Sequence, residues 1–251
     1  MKKLNRIVII WLAIILSSGC SKPTNNKHNG FFAWMDAYIA IEQNTENAIA
    51  VTLFFENEPF EPDDVASITF VDISKDIPIS NFGIEDTKQS VKHYSSYAIT
   101  LNYTANTTGI YETSGIVITL KSNEAIKYPI GKWIFDVNEE SADIVDVWSS
   151  PVATANGKEF PYEYSVIQST GKITKIHYGD QLFINDDSGL DNMGIIPINN
   201  NYSSPIVYIK SKIIVSINGE DKIDFGEGSY CGAIGSSEDI ITASKERNGI
   251  R

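Results

Sequence analysis

The stretch AIAVTLFF, residues 48–55, alternates two sets of side chains in a run rich in β-branched and aromatic types. In an extended chain Ile49, Val51 and Leu53 share one face and the residues between them share the other. A period of two over four to eight residues predicts a β-strand with one face on a core. The same period recurs at 97–103 and at 116–121.

Short polar segments separate these runs, and no amphipathic pattern of ten or more residues lies between them. The segments are 43–47, 58–64 and 104–109. We therefore predict that residues 31–149 form seven or eight antiparallel strands of an immunoglobulin-like β-sandwich. The Cys-Trp-Cys pattern of antibody domains is absent, so only the general architecture is implied. We expect three tryptophans to be core or core-rim residues rather than a sugar platform: Trp34, Trp133 and Trp148.

The composition changes near Trp148-Ser149-Ser150-Pro151, which predicts a boundary before a second β-rich domain at 150–251. Its longest strand-like run spans 206–217, and Asn218-Gly219 after it is a strong hairpin signal. The chain is thus predicted to be all-β, either as tandem antiparallel sandwich modules or as one large sandwich. The segment SSEDIITASKERNG, 236–249, allows two predictions. Acids near its start and bases near its end favour a helix, whereas the apolar IITA within it is equally typical of a final strand.

The chain begins with the basic segment MKKLNR, followed by the apolar run IVIIWLAIIL at 7–16. That run is about half as long as the roughly 20 residues that a membrane-spanning helix needs. Three small residues, Ser17, Ser18 and Gly19, follow it, as a signal-peptide cleavage site requires. We therefore predict that residues 1–19 are a secretory signal peptide rather than a mature transmembrane helix.

Residues 16–20, Leu-Ser-Ser-Gly-Cys, resemble the lipobox of bacterial lipoproteins. Leucine is commonest three places before the cysteine in that family, whereas here Ser17 holds that place. The resemblance implies cleavage before Cys20 and a diacylglycerol on its thiol, which would anchor the chain on the extracytoplasmic side of the cell envelope. Ser21, in place of Asp, permits the outer membrane if the source has one. The alternative is an ordinary signal peptide followed by an incidental cysteine.

Residues 20–30 offer no apolar side chain able to join a core, so they predict a polar, flexible tether behind the lipid. Removing the signal and its three bases leaves 17 Lys and Arg against 32 Asp and Glu, a formal charge of −15. That balance disfavours nucleic acid as a partner, because binding to phosphates needs a basic face. It also disfavours docking onto anionic lipid through basic residues. Contact with the membrane is therefore assigned to the lipid on Cys20.

Metal and disulfide chemistry have little support in the sequence. Zinc sites need clustered His and Cys, whereas His28, His93 and His177 are isolated, the last two in strand-like runs. If Cys20 is acylated, Cys231 has no partner for an intrachain disulfide. We therefore expect no cofactor and no metal site.

Two short stretches invite a ligand interpretation. Asp186, Asp187 and Asp191 cluster within 184–192, which makes calcium conceivable, but the spacing is not that of an EF-hand, and a polar turn is favoured. The same applies to the acidic loop 56–64. The glycines of 226–235 lack the third glycine and the lysine of phosphate-binding loops.

Nucleophilic catalysis has one candidate pair, Cys231 with His177. A lone cysteine and a lone histidine are weak evidence for a dyad, and a small buried thiol is the commoner fate. We therefore expect no catalytic residue and name Cys20, the site of lipid attachment, as the one site residue.

These patterns favour a membrane-anchored, non-catalytic lipoprotein that binds a protein or glycan partner. The alternative is a carboxylate-based hydrolase or a calcium-assisted carbohydrate-binding protein, because paired acids need no local motif and 32 are available.

Overall fold

A computed structural model describes residues 30–147, 159–166, 171–178, 181–184, 193–199, 204–232 and 238–250 of the chain. Within these residues the backbone forms fifteen strands, one 3₁₀ turn and one helix. In chain order they are β1 (Gly30–Phe32), β2 (Met35–Glu42), β3 (Glu46–Phe55), the 3₁₀ turn (Pro62–Asp64), β4 (Val65–Phe70), β5 (Ile79–Val91), β6 (Tyr94–Thr104), β7 (Gly109–Leu120), β8 (Ala125–Asn138), β9 (Val145–Val147), β10 (Glu159–Val166), β11 (Gly171–Tyr178), β12 (Gln181–Ile184), β13 (Met193–Asn199), β14 (Ile206–Ile217), β15 (Glu220–Gly232) and α1 (Glu238–Arg247).

The predicted sandwich is confirmed in β1–β8. One sheet has the order β1-β3-β6-β5, and the facing sheet contains β2-β8-β7-β4. The alternation in AIAVTLFF determines which side chains enter the core: Ile49, Val51 and Leu53 are buried with the inner faces of β2, β7 and β8. Trp133 lies at the centre, fully buried, and its indole N–H donates to the carbonyl oxygen of Met35 at 2.9 Å. Trp34 is half-buried, and Trp148 falls outside the described residues.

The second half of the chain extends the sheet that contains β2. Along one edge of β14, residues 206–210 pair with β2 and residues 212–217 pair with β11, while β15 pairs along the other edge. The Asn218-Gly219 turn joins β14 to β15, as predicted, with φ of 53° and 86°. A separate three-stranded sheet has the order β13-β10-β9. The predicted domain boundary at 149–150 lies outside the described residues and stays a prediction.

β2 differs from the antiparallel expectation, because it runs parallel to both of its neighbours, β8 and β14. Parallel neighbours need long crossover connections, whereas antiparallel neighbours can be joined by a tight hairpin. Here residues 43–124 separate β2 from β8, and residues 43–205 separate it from β14. The remaining strand pairs of the described residues are antiparallel.

Helix α1 settles the choice between helix and strand at 236–249 in favour of the helix. Ile240 and Ile241 pack with Phe31, Phe54 and Tyr94 on the outer face of the β1-β3-β6-β5 sheet. This contact explains why Phe54 is buried although it points away from the main core. Gly249, with φ of 69°, follows the last turn, where its N–H donates to the carbonyl of Glu246, as in a glycine C-cap.

The helix is too short and polar to cross a bilayer, and the described residues contain no other. Its position is held by polar contacts as well as apolar ones. The N–H of Trp34 donates to Ser244 Oγ at 2.9 Å, and Lys92 forms an ion pair with Glu238.

The prediction that His93 is a strand residue is wrong. Lys92 and His93 form the turn between β5 and β6, where the chain reverses, with a positive φ at Lys92.

Gly131 is a position where the fold requires glycine. Its φ is 111°, and a Cβ there would overlap the carbonyl group of Met35 on the neighbouring strand β2. Replacing Gly131 with Ala should therefore lower the free energy of unfolding by about 3 kcal/mol or more, through backbone strain and steric overlap. Urea-induced unfolding measures the change. Gly83→Ala is the control, because a Cβ meets nothing within 4 Å there, and an equal loss in both variants would contradict this packing.

Candidate functional site

A buried carboxylate on β15 fixes the segment between β8 and β9. Asp224 is 4% exposed and accepts hydrogen bonds from the backbone N–H groups of Ile144 and Val145, both at 2.7 Å. It also accepts hydrogen bonds from the Ser141 hydroxyl at 2.9 Å and from the backbone N–H of the next residue, Phe225. Four donors leave the carboxylate fully engaged, so residues 139–145 are held firmly along β15.

A cavity of about 830 Å³, which we call the hairpin cleft, opens between this segment and the β14–β15 hairpin. Ile144 and Val137 form the buried part of its lining, and Ile217 and Ile223 are half-buried beside them. The other lining residues are Thr108, Asn138, Glu139, Glu140, Ser141, Ala142, Asp221 and Lys222. The lining therefore combines an apolar floor with a polar rim, and none of its described residues is aromatic.

The rim of the hairpin cleft is acidic. Glu139, Glu140 and Asp221 are exposed, and the described residues offer none of the three carboxylates a hydrogen bond or an ion pair. The one base of the rim, Lys222, forms an ion pair with Glu220 at 3.5 Å. Negative charge on this rim is therefore not neutralised within the described part of the protein.

A second cavity of about 380 Å³ adjoins the first, since Ser141 lines both; we call it the lysine cleft. Lys210 lies in it with its ammonium 2.8 Å from Asn47 Oδ1. Burial lowers the pKa of Lys210, and the nearby Glu227 opposes that shift. Five carboxylates line this cleft: Glu42, Glu46, Asp143, Asp224 and Glu227.

A buried polar network lies near the point where β14 changes its pairing from β2 to β11. Asp136 accepts from the Tyr38 hydroxyl at 2.7 Å and pairs with Lys212 at 2.5 Å. Asn138 Nδ2 donates to the other carboxylate oxygen of Asp136, Oδ1, at 3.1 Å. Burial, and then the hydrogen bond and charge of Asp136, raise the pKa of Tyr38 above its usual range. These paired groups join three strands and leave little of the carboxylate open.

His177 is the cross-strand neighbour of Lys212. Burial, and then the positive charge of Lys212, lower the pKa of His177. Its proposed partner Cys231 lies opposite Val207, five residues away along β14 from Lys212 and on the other edge of that strand. Five residues correspond to about 16 Å along a strand, so the backbone register keeps the two residues apart and the Cys231–His177 dyad does not form.

The remaining sequence-predicted sites have mixed outcomes. Cys20, His28 and the three acids of 184–192, which are Asp186, Asp187 and Asp191, lie outside the described residues. His93 is exposed, with Nε2 3.2 Å from Glu56 Oε1. The glycines at 226–232 belong to strand β15, where Gly228 leaves room for the ring of Tyr208. No group of three or more His, Cys, Asp or Glu side chains able to hold a metal occurs in the part of the chain that the structure describes.

The two clefts were not found by sequence reasoning. Their acids come from β2, β3, β15 and the segment after β8. The pairing of β14 with β2 and with β15 brings the early acids, such as Glu42, near the late ones, such as Glu227. The one local signal is EESAD at 139–143, an acid-rich run directly after an apolar strand. That pattern is also typical of an ordinary solvated loop.

No protein-family model matches the chain, and no curated protein matches it. Solved structures with partial similarity include the fibronectin(III)-like modules of Clostridium thermocellum CbhA, with 11% identity, 81% of this chain and 93% of that chain covered, and a TM-score of 0.24. A three-domain titin immunoglobulin structure is 12% identical, with 79% of this chain and 64% of that chain covered and a TM-score of 0.24. SGBP-B of a Bacteroides ovatus mixed-linkage glucan utilization locus, in complex with a mixed-linkage heptasaccharide, is 11% identical, with 77% of this chain and 42% of that chain covered and a TM-score of 0.22. At these TM-scores the similarities carry no conclusion, and the fold assignment rests on the strand pairing.

Asp224 provides a test of how the site is held. Asp224→Ala leaves two buried backbone N–H groups without an acceptor, so the free energy of unfolding should fall by about 3 kcal/mol. Asp221→Ala, three residues away on the exposed rim, removes no hydrogen bond to the described residues and should change it by less than about 0.5 kcal/mol. Thermal and urea unfolding compare the two variants. Equal effects would show that Asp224 does not anchor residues 139–145.

Proposed function

We propose that the chain is a lipid-anchored extracytoplasmic lipoprotein whose β-sandwich binds a partner and performs no chemistry on it. The sequence around Cys20 supports the anchor, because an apolar run, small residues, a cysteine and a polar tether follow in the order that lipoprotein processing requires. Two acyl chains suffice for stable attachment, whereas one alone binds only marginally. Because Gly30 is a buried residue of β1, the predicted end of the tether at residue 30 is wrong by one residue; a tether of 20–29 would let the sandwich stand clear of the membrane.

The hairpin cleft is the observation that carries the binding role. Its volume is in the range of small-molecule and side-chain pockets, and its floor is apolar. The exposed carboxylates on its rim have no partner among the described residues, so they are available to a ligand. By contrast, the buried carboxylates nearby, Asp224 and Asp136, are saturated by donors. Saturated carboxylates suit a fixed scaffold better than proton exchange with a substrate.

The anchor is tested by Cys20→Ser. The variant cannot carry the thioether-linked lipid, so it should remain unlabelled by radioactive palmitate, keep its signal peptide and lose stable membrane attachment. Cell fractionation with labelling measures both properties, and Cys231→Ser is the matched control, which should behave as the unchanged chain. Palmitate incorporation and processing that persist in Cys20→Ser would contradict the assignment of the anchor.

The binding role is tested by placing a photoreactive residue at Ile217, on the floor of the hairpin cleft. In cells that make the chain naturally, irradiation should yield a discrete adduct from this position. Ile250 is the control position, since it is an exposed isoleucine that follows α1 on the opposite sheet. Absence of an adduct at Ile217, or the same adduct pattern from both positions, would contradict binding at the cleft.

A further inference from the structure

We propose that the hairpin cleft receives a cationic segment of a partner protein, in which an aliphatic side chain enters the cleft and flanking Lys or Arg residues contact its rim. This inference rests on the proposed function, because it names the occupant of the same cleft. It chooses the protein class of partner over the glycan class, and it follows from the two kinds of surface that the cleft presents.

The floor accounts for the aliphatic side chain. The apolar surface open to a ligand comes from the half-buried Ile217 and Ile223, and Val137 and Ile144, 3% and 1% exposed, lie behind them. Apolar area that leaves water on binding contributes about 25 cal/mol per Å². Among the described residues, the lining offers no aromatic ring on which a sugar face could stack. Branched aliphatic residues of the partner, which pack against aliphatic walls, therefore fit this floor.

The rim accounts for the positive charge. Glu139, Glu140 and Asp221 stand around the opening with no ion-pair partner among the described residues, and Lys222 is already engaged by Glu220. Neighbouring carboxylates repel one another, so a cation placed between them is attracted by all three. The hydroxyls of a neutral glycan can donate hydrogen bonds to these carboxylates, but they leave the negative charge uncompensated, whereas a Lys or Arg side chain neutralises it.

The surroundings strengthen the same preference. The adjoining lysine cleft adds Glu42, Glu46, Asp143 and Glu227, whereas the ammonium of Lys210 is partly buried and directed at Asn47. The net charge of the whole chain is −12, so the long-range field also attracts cations. Complementary charge of this kind raises association rates and selects among partners more than it adds affinity.

The experiment uses residues 20–251 with Cys20→Ser, produced without the signal peptide, so that no lipid is attached and no detergent is needed. The probe is a fluorescent heptapeptide in which lysine alternates with isoleucine, and the matched probe has glutamine in place of each lysine. Fluorescence anisotropy should show that the lysine peptide binds at least about tenfold more tightly than the glutamine peptide near 50 mM salt. Most of this advantage should disappear near 500 mM salt, because rim charges are screened.

Two matched variants locate the binding. The triple variant Glu139→Gln, Glu140→Gln, Asp221→Asn should weaken the lysine peptide about tenfold. The control triple Glu61→Gln, Asp63→Asn, Glu85→Gln removes the same charge from exposed positions elsewhere and should change affinity less than about twofold. Ile217→Ser should weaken both peptides, because it removes apolar area from the floor.

Equal weakening by the two triple variants, equal affinity for the two peptides, or binding of an uncharged oligosaccharide such as cellohexaose that the rim variant leaves unchanged would each overturn the cationic occupant. These failures are distinguishable from failure of the proposed function. If the lysine peptide does not bind while the photoadduct at Ile217 still forms, only the class of occupant is wrong. If the adduct is also absent, binding at the cleft is wrong.

Discussion

The structure depends on the way β14 divides one of its edges between two partners. Residues 206–210 pair with β2 of the first sandwich, and residues 212–217 pair with β11, while β15 follows the whole opposite edge. Because the first part of the pairing reaches β2 at the centre of a sheet, the late segment of the chain becomes part of the early fold. The hairpin cleft, the lysine cleft and the placement of Asp224 all follow from this arrangement.

Polar groups near that division make the pairing specific. Lys212 from β14 meets Asp136 from β8 and, through it, Tyr38 from β2. Such a buried pair adds little net stability over an apolar contact, but loss of one member typically costs about 3–5 kcal/mol, because the other is left charged and without a partner. A shifted register of β14 would leave these groups apart. Asp224 acts similarly for β15, since only the observed register places it under the N–H groups of Ile144 and Val145.

Much of the fold could be predicted from sequence because the information is local. The period of two along 48–55 and 97–103 identified strands and their core faces, and Asn218-Gly219 identified the hairpin through its need for positive φ. The order of charges in 236–249 suited the helix, although strand remained open. The parallel pairing of β2 could not be predicted, because the choice of partner depends on packing between segments more than 100 residues apart. The site was missed for the same reason: Glu139 and Asp221 become neighbours of one cleft only after β14 and β15 have docked.

Native-state hydrogen exchange of the backbone amides tests the shared edge of β14 most directly. If 206–210 is integral to the first sheet, its amides should exchange with the same opening free energy as those of 35–42 in β2, and both should respond equally to mild denaturant. Exchange of 206–210 at a much lower free energy, while β2 and β8 stay protected, would contradict the account, because β14 would then be an appendage of the sandwich rather than a part of it.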